Sequence, residues 1–370
     1  MTADIELARD ESTAVISPIG ASLLSFAVGE RPVVVPMGAF DGAVLAPWPN
    51  RIADGRFDFG GRSHQLPITE PERQTALHGL VAGVEWTVAK RTECAVSLEF
   101  SLRPSEGYPF TFALSIDYEL AEAALSIRAR ARNLGTDSAP FGFGFHPWLS
   151  PGTAAGAAAG RPSGSSTGTS AGSSTGIPTG ILVDEAQLLV PATTWFQPDD
   201  RLIPRGVRPF DDGTVIPADH AAEESACIVC KDFRAIRTIG GAVLDDAFGS
   251  PRRGSDGWSR ARLKGVDDRE IVVGMGPGFR TWQVCTGDGL GDDLSRQAIA
   301  IEPMTCPPNA FAAGTAGEDF DVVEPGQDLA VEWSLSLLSS GECAREGAES
   351  SAESAESCAE AAGPSGARGD

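Results

Sequence analysis

Positive charge is scarce in this chain of 370 residues. Lysine and arginine together number 29 against 51 aspartate and glutamate residues, and only three of the basic residues are lysines. The formal net charge is −22, and the basic residues are scattered without a run. Proteins that follow a phosphate backbone or bind an anionic membrane need clustered positive charge. We therefore expect neither a nucleic acid nor a membrane surface as a partner.

Long apolar runs are also missing. No stretch reaches the roughly 18 apolar residues that a membrane helix requires, and residues 1–6 lack the basic and apolar regions of a signal peptide. The seven cysteines are odd in number and widely spaced. Such cysteines favour reduced thiols over a disulfide framework. These features predict a cytoplasmic protein.

Two stretches have too few large apolar residues to join a core. Residues 152–180 are almost entirely Gly, Ser, Thr and Ala, with glycine at every fourth position, which favours a flexible inserted loop. Residues 341–370 carry seven acidic and two basic residues and no Leu, Ile, Val or aromatic residue, which is typical of a solvated tail. We expect one domain over residues 1–340, interrupted by the 152–180 insertion and followed by the acidic tail.

The remaining chain alternates apolar and polar residues with a period of two. This period places the apolar side chains on one face of a strand, and turn sequences rich in Gly, Pro and Asn separate the runs. Amphipathic helices are scarce, so we predict an all-β fold, a large antiparallel β-sandwich. The clearest runs are Phe110, Phe112, Leu114, Ile116, Tyr118 and Leu120; Val96, Leu98, Phe100 and Leu102; Leu125, Ile127, Ala129 and Ala131; and Leu329, Val331, Trp333, Leu335 and Leu337.

Motifs for a cofactor or a metal are absent from the sequence. No phosphate-binding glycine loop, nucleophile elbow or His-Glu-x-x-His motif occurs. Cys227 and Cys230 have Cys-x-x-Cys spacing, but no second Cys or His pair lies near them, so zinc and redox chemistry are disfavoured. We expect no cofactor and no metal.

Two polar residues stand at the ends of apolar strands. Glu302 follows the apolar stretch Ala298–Ile301, where a carboxylate is costly unless it is paired or functional. It could be a salt-bridge partner of an arginine or a catalytic group. His146 follows an alternation of Phe and Gly and precedes Pro147, which ends a strand. A histidine there is either a satisfied core residue or a group presented above the sheet.

Other candidates are weaker when taken singly. Arg51 follows Asn50 in a segment rich in Pro and Trp, where its rigid donor fork could orient a polar ligand. His78 comes after a charged stretch and is uninformative by itself. Asp245 and Asp246 follow an apolar step and could be an ordinary turn or part of a site.

Five short motifs follow one another along the chain. They are Asn50-Arg51-Ile52, Leu77-His78-Gly79, Phe145-His146-Pro147, Leu244-Asp245-Asp246-Ala247-Phe248 and Ile301-Glu302-Pro303-Met304-Thr305. With these motifs in this order, the chain resembles the aldose 1-epimerase (galactose mutarotase) family. The spacings agree once the 152–180 insertion is allowed for, and the resemblance extends from about residue 14 to residue 338, being weakest over residues 201–232.

The resemblance implies a role for each matched residue. His146 would be the general acid on the ring oxygen, and Glu302 would be the base that takes the proton of the anomeric hydroxyl. The residues that would hydrogen-bond the sugar are Asn50, Arg51, His78 and Asp245, with Asp245 favoured over Asp246. The family fold, a large antiparallel β-sandwich, agrees with the period of two. Trp48 and Trp148 could face the sugar or belong to the core.

A neutral aldohexose such as glucose or galactose is the expected substrate. The rivals are a hexose-6-phosphate 1-epimerase, a non-catalytic sugar-binding module of the same fold, and a polysaccharide lyase or hydrolase. A phosphorylated sugar requires an additional basic cluster. The net charge of −17 outside the acidic tail makes this rival less attractive. The sequence leaves open a monomer or a homodimer.

Overall fold

Antiparallel sheets make up most of the chain. The computed structural model describes residues 3–152, 183–210, 231–291, 293–314 and 317–339. The 152–180 insertion, apart from Gly152, lies outside the described residues, as do the tail at 341–370 and the Cys227–Cys230 pair. In the ranges that are described, no helix has the length and apolarity that a membrane crossing needs.

The larger sheet contains twelve strands within the described residues. They are β1 (Ile5–Arg9), β2 (Ser12–Ser17), β3 (Ser22–Val28), β4 (Arg31–Val34), β5 (Val44–Leu45), β15 (Gly144–Phe145), β16 (Trp148–Leu149), β18 (Ala192–Pro198), β19 (Pro204–Pro209), β21 (Asp245–Pro251), β24 (Thr281–Cys285) and β25 (Ile299–Met304). Their order is β1-β2-β3-β4-β16-β25-β24-β21-β18-β19, and β15 pairs with both β25 and β5.

The second sheet contains nine strands of the described chain. They are β10 (Thr87–Arg91), β11 (Ala95–Leu102), β12 (Phe112–Ala121), β13 (Ala124–Asn133), β17 (Gln187–Leu189), β20 (Arg237–Thr238), β22 (Ser259–Lys264), β23 (Glu270–Met275) and β27 (Asp328–Leu338). Their order is β10-β11-β12-β13-β27-β23-β22-β17-β20. The named strands of both sheets pair in antiparallel fashion.

Three small sheets and two short helices complete the described elements. The small sheets join β6 (Arg51–Ala53) to β9 (Thr75–Leu77), β7 (Arg56–Phe59) to β8 (Arg62–Gln65), and β14 (Ala139–Phe141) to β26 (Asp321–Val323). The helices are a 3₁₀ turn at Val183–Glu185 and α1 at Ala310–Ala313.

One core of buried apolar side chains joins the two large sheets. Along β12 and β13 the buried and less buried residues alternate as the sequence predicts, with Phe112, Ile116 and Ile127 fully buried. Strand β25 differs because all six of its residues are buried, which means that both of its faces are covered. The prediction of a large antiparallel β-sandwich is confirmed.

The register of the central strands places several polar side chains on one face. Glu302 of β25 pairs with Gln283 of β24, and Gln283 pairs with Ala247 of β21. Side chains two residues apart share a face, so Asp245 lies on the same face as Gln283 and Glu302. The opposite face carries Ile301, which belongs to the core between the sheets.

Candidate functional site

His146 and Glu302 meet where β16 pairs with β25. Trp148 pairs with Ala300, and extending this antiparallel register by two residues brings His146 opposite Glu302. Their side chains are 8% and 2% exposed, and His146 Nε2 lies 3.5 Å from Glu302 Oε1. Glu302 thus contacts a histidine, whereas the sequence left open a pair with an arginine.

Three buried polar atoms around this pair have no hydrogen-bond partner among the described residues. They are His146 Nδ1, Glu302 Oε2 and Gln283 Oε1. Most buried polar side-chain atoms in proteins do have a partner. Since these three atoms belong to neighbouring positions of the sheet, their clustering indicates a place that a polar ligand would complete.

Arg51 lies across from Asp245 and is anchored by Glu70. The Arg51 side chain donates from Nε and Nη2 to the two oxygens of Glu70, at 2.8 and 3.0 Å. Its Nη2 lies 3.6 Å from Asp245 Oδ2, longer than a hydrogen bond. The other oxygen of Asp245 accepts a bond of 2.6 Å from Gln283 Nε2. The structure therefore brings Arg51 and Asp245 together.

Asp245 and Asp246 point to opposite faces of β21. Asp246 is 3% exposed and accepts bonds of 2.7 Å from Lys231 Nζ and from Trp195 Nε1. Asp245 is on the face of Glu302, and a third of its side chain is exposed. Strand alternation thus assigns Asp246 to a buried ion pair and leaves Asp245 facing Arg51.

His78 is held by the backbone of Asn50. The Asn50 N–H donates to His78 Nδ1 at 3.2 Å, and the His78 N–H donates to the Asn50 carbonyl at 2.9 Å. Because Nδ1 accepts a bond, the neutral imidazole carries its proton on Nε2. Both residues have positive φ, 59° and 55°. The Asn50 side-chain oxygen accepts a bond from the Arg51 N–H at 2.9 Å.

Phe40 covers the two histidines, and both tryptophans are buried. Its ring centroid lies 4.5 Å from that of His78 and 5.9 Å from that of His146, and the residue is 41% exposed. Trp48 and Trp148 are each 2% exposed, and their indole N–H groups donate to backbone carbonyls. Of the two alternatives for Trp48 and Trp148, a sugar-facing and a core position, the core position fits this structure.

Burial and neighbouring charges shift the pKa values of the pair in opposite directions. Burial, with a contribution from Asp245, raises the pKa of Glu302 well above its usual range. Burial, with the charge of Arg51, lowers the pKa of His146 to about 4. Burial also lowers the pKa of His78 well below its usual value. Both imidazoles are therefore neutral at pH 7, and burial favours the protonated form of Glu302.

A small pocket opens beside the site. Its polar lining includes Arg51, Asp245 and Gln283, and its apolar lining includes Phe196 and Leu202. Within the part of the chain that the structure describes, no group of three or more His, Cys, Asp or Glu side chains could hold a metal ion. The arrangement offers a paired acid and base together with hydrogen-bonding groups.

Three residues at this site escaped the sequence analysis. Gln283 is a buried polar residue between the apolar Trp282 and Val284 of β24, a signal similar to that of Glu302. Glu70 stands in a charged stretch typical of a solvated loop, yet it is 6% exposed. Phe40 lies in a short loop and has no sequence signal.

A family model of aldose 1-epimerases matches residues 3–336. The chain belongs to the aldose 1-epimerase family. The uncharacterized protein YihR of Escherichia coli K12 is 29% identical over 318 residues, which cover 84% of this chain and 86% of that protein. Mouse galactose mutarotase is 36% identical over 95 residues, covering 25% of this chain and 27% of the mouse protein.

Solved structures of aldose 1-epimerase relatives share the fold. The GalM/aldose epimerase homologue of Caenorhabditis elegans has a TM-score of 0.70 at 16% identity, over 91% of this chain and 99% of that chain. Galactose 1-epimerase of Lactobacillus acidophilus has a TM-score of 0.67 at 15% identity, over 90% and 94% of the two chains. At such low identity the likeness concerns the fold alone. The resemblance drawn from the five motifs is confirmed at the level of the family.

Proposed function

We propose that this protein is an aldose 1-epimerase that interconverts the α and β anomers of a neutral aldohexose such as glucose or galactose. The observation that carries the proposal is the 3.5 Å contact between His146 Nε2 and Glu302 Oε1. The anomeric oxygen O1 and the ring oxygen O5 are bonded to the same carbon, C1. A base for O1 and an acid for O5 must therefore lie close together, as this pair does.

The reaction uses the pair twice. Glu302 takes the proton of the O1 hydroxyl while the C1–O5 bond breaks, and His146 gives a proton to O5, which yields the open-chain aldehyde. Rotation about C1–C2 turns the other aldehyde face toward the hydroxyl on C5. Closure reverses the proton transfers, so both residues return to their starting states.

The pair holds one proton throughout this cycle. Burial favours the state in which this proton is on Glu302, since burial raises the pKa of Glu302 and lowers that of His146. The state that opens the ring has the proton on His146 and a charge on Glu302. Moving one proton across the 3.5 Å contact links the two states, and polar sugar groups would favour the charged one.

The remaining polar residues would bind the sugar hydroxyls. The Nε2–H of His78 is a donor, because its Nδ1 accepts the bond from Asn50. Arg51 keeps donors that Glu70 does not use, and Asp245 offers acceptors. The pocket lining also includes Gln283 and the Asn50 side chain.

A neutral sugar fits the local charge better than a phosphorylated one. Arg51, the arginine of the pocket lining, already has a carboxylate partner in Glu70, and Arg73 binds the same carboxylate. Asp245 adds a further carboxylate to the site. A phosphate group would therefore meet carboxylates before it met an available cation.

The wider organisation is also a proposal. The core that joins both large sheets supports one domain across residues 1–340. We further propose that the protein acts in the cytoplasm as a monomer or a homodimer.

Polarimetry with freshly dissolved α-glucose, α-galactose and glucose 6-phosphate tests the proposed function. We expect the protein to accelerate the approach to anomeric equilibrium for the two neutral sugars and to act more slowly on the phosphate. Glu302→Gln should bind sugar without this acceleration. A wild-type protein that binds glucose but leaves the spontaneous rate unchanged would favour the non-catalytic binding module instead.

A further inference from the structure

Glu70 is a buried carboxylate whose oxygens are both occupied. One oxygen accepts from Arg51 Nη2 at 3.0 Å and from Arg73 Nη1 at 2.8 Å. The other accepts from Arg51 Nε at 2.8 Å and from the Thr75 hydroxyl at 2.6 Å. The backbones of Glu70 and Thr75 also exchange hydrogen bonds. This carboxylate is thus held rigidly within its own turn.

The position of Glu70 decides which donors Arg51 has left. The bidentate bond uses the Nε edge of the guanidinium, so both hydrogens of Nη1 and one hydrogen of Nη2 remain. The Nη2 atom stays 3.6 Å from Asp245 Oδ2, beyond hydrogen-bonding distance. Without Glu70, Arg51 would move toward Asp245 and form a full ion pair, which would remove groups from both residues that could bind a sugar.

Glu70 also sets the charge that the catalytic pair experiences. Burial would lower the pKa of Arg51, but Asp245, Glu70 and Glu302 together raise it. Burial would raise the pKa of Glu70, but its bonds to Arg51 and Thr75 lower it. Glu70 is therefore ionised beside Arg51 and offsets part of the positive charge that acts on His146 and Glu302.

We infer that Glu70 is a positioning residue for sugar binding. It holds Arg51 apart from Asp245 and offsets part of the positive charge of Arg51. This inference rests on the proposed function. Glu70 itself does not contact the sugar, because its two oxygens are taken by Arg51, Arg73 and Thr75. Glu70 acts on sugar binding by fixing the orientation of the Arg51 guanidinium group.

The variant Glu70→Gln tests this role, with Glu72→Gln as its matched control. Glu72 is two residues away, and its side chain is 68% exposed. In Glu70→Gln we expect KM for glucose to rise about tenfold, in line with the loss of a charge-assisted hydrogen bond, with a smaller change in kcat. The alkaline limb of the pH–rate profile should move to lower pH, because the unbalanced Arg51 charge favours ionised Glu302. Glu72→Gln should match the wild type in both measurements.

Two further measurements keep the inference falsifiable. Thermal unfolding shows whether Glu70→Gln is folded, and Thr75→Val, which removes only one of the anchors of Glu70, should raise KM in the same direction by a smaller factor. If the wild type is active and Glu70→Gln has an unchanged KM and an unchanged pH profile, the role of Glu70 is overturned while the proposed function stands. Should Glu70→Gln not fold, an unchanged KM in Thr75→Val would overturn it. An inactive wild type would overturn the proposed function and the inference with it.

Discussion

The Nε2 atom of His146 lies 3.5 Å from the Oε1 atom of Glu302, and each side chain keeps a second buried polar atom without a partner among the described residues. In the proposed mechanism these two groups act as one proton-transferring unit. Removing either group from such a unit costs about as much as removing both. The contact therefore predicts how single and double variants compare.

We expect His146→Gln and Glu302→Gln each to lower kcat by about 10²–10⁴-fold, the usual contribution of a general acid or base. The double variant should lose little more than either single variant. Polarimetry of fresh α-glucose, corrected for spontaneous mutarotation, measures these rates. Glu332→Gln is the matched control, since Glu332 is 39% exposed on β27 and pairs with Arg128. Losses that multiply in the double variant would contradict a single unit.

The pKa shifts of the pair predict a bell-shaped dependence of kcat/KM on pH. On the acid side, His146 takes up a second proton for the pair at about pH 4, so Glu302 no longer has an ionised form available. On the alkaline side the pair loses its only proton, and this limb should lie well above the usual carboxylate range because burial raises the pKa of Glu302. Samples incubated at each pH and assayed at pH 7 separate titration from unfolding. An acid limb near 6.5, the ordinary value for histidine, would count against this assignment.

The sequence predicts the strands of this fold well because their burial depends on a local period. Phe112, Ile116 and Ile127 could be assigned to the core from alternation alone. Glu302 stood out because a carboxylate at the end of an apolar strand is costly unless it is paired or functional, and Gln283, between Trp282 and Val284, gives a similar signal. Local patterns therefore contain the fold class and part of the candidate site.

These local sequence patterns do not predict contacts between segments that are distant in the chain. Glu70 is buried against Arg51, which lies 19 residues earlier and donates to its carboxylate. Phe40 covers His78 and His146 through loop packing that no period encodes. The preference for Asp245 over Asp246 came from the family resemblance, and its geometric reason, the alternation of β21, required the register of the sheet.

Opposite orientations on β21 predict opposite effects for two adjacent substitutions. Asp246→Asn should destabilise the protein by about 3–5 kcal/mol, because it leaves the buried Lys231 ammonium without its carboxylate. Asp245→Asn should leave the unfolding free energy nearly unchanged and raise KM for glucose about tenfold, since a charged acceptor for sugar hydroxyls is lost. Chemical denaturation and polarimetry on the same samples give both quantities. A stability loss in Asp245→Asn as large as that in Asp246→Asn would contradict the separation of roles.

The position of Phe40 over the two histidines predicts that removal of its ring raises the pKa of His146. Its ring packs 4.5 Å from the ring of His78 and 5.9 Å from that of His146, so we expect it to limit the access of water to His146 and Glu302. In Phe40→Ala, water would reach His146, and relief of the burial that lowers its pKa to about 4 should move the acid limb of the pH–rate profile upward. KM for glucose should also rise because an apolar wall of the site is lost. Phe40→Leu is the control, because it keeps an apolar side chain over the histidines and should leave the acid limb close to its wild-type position. An unchanged acid limb in Phe40→Ala would show that the Phe40 ring does not shield His146 and Glu302 from water.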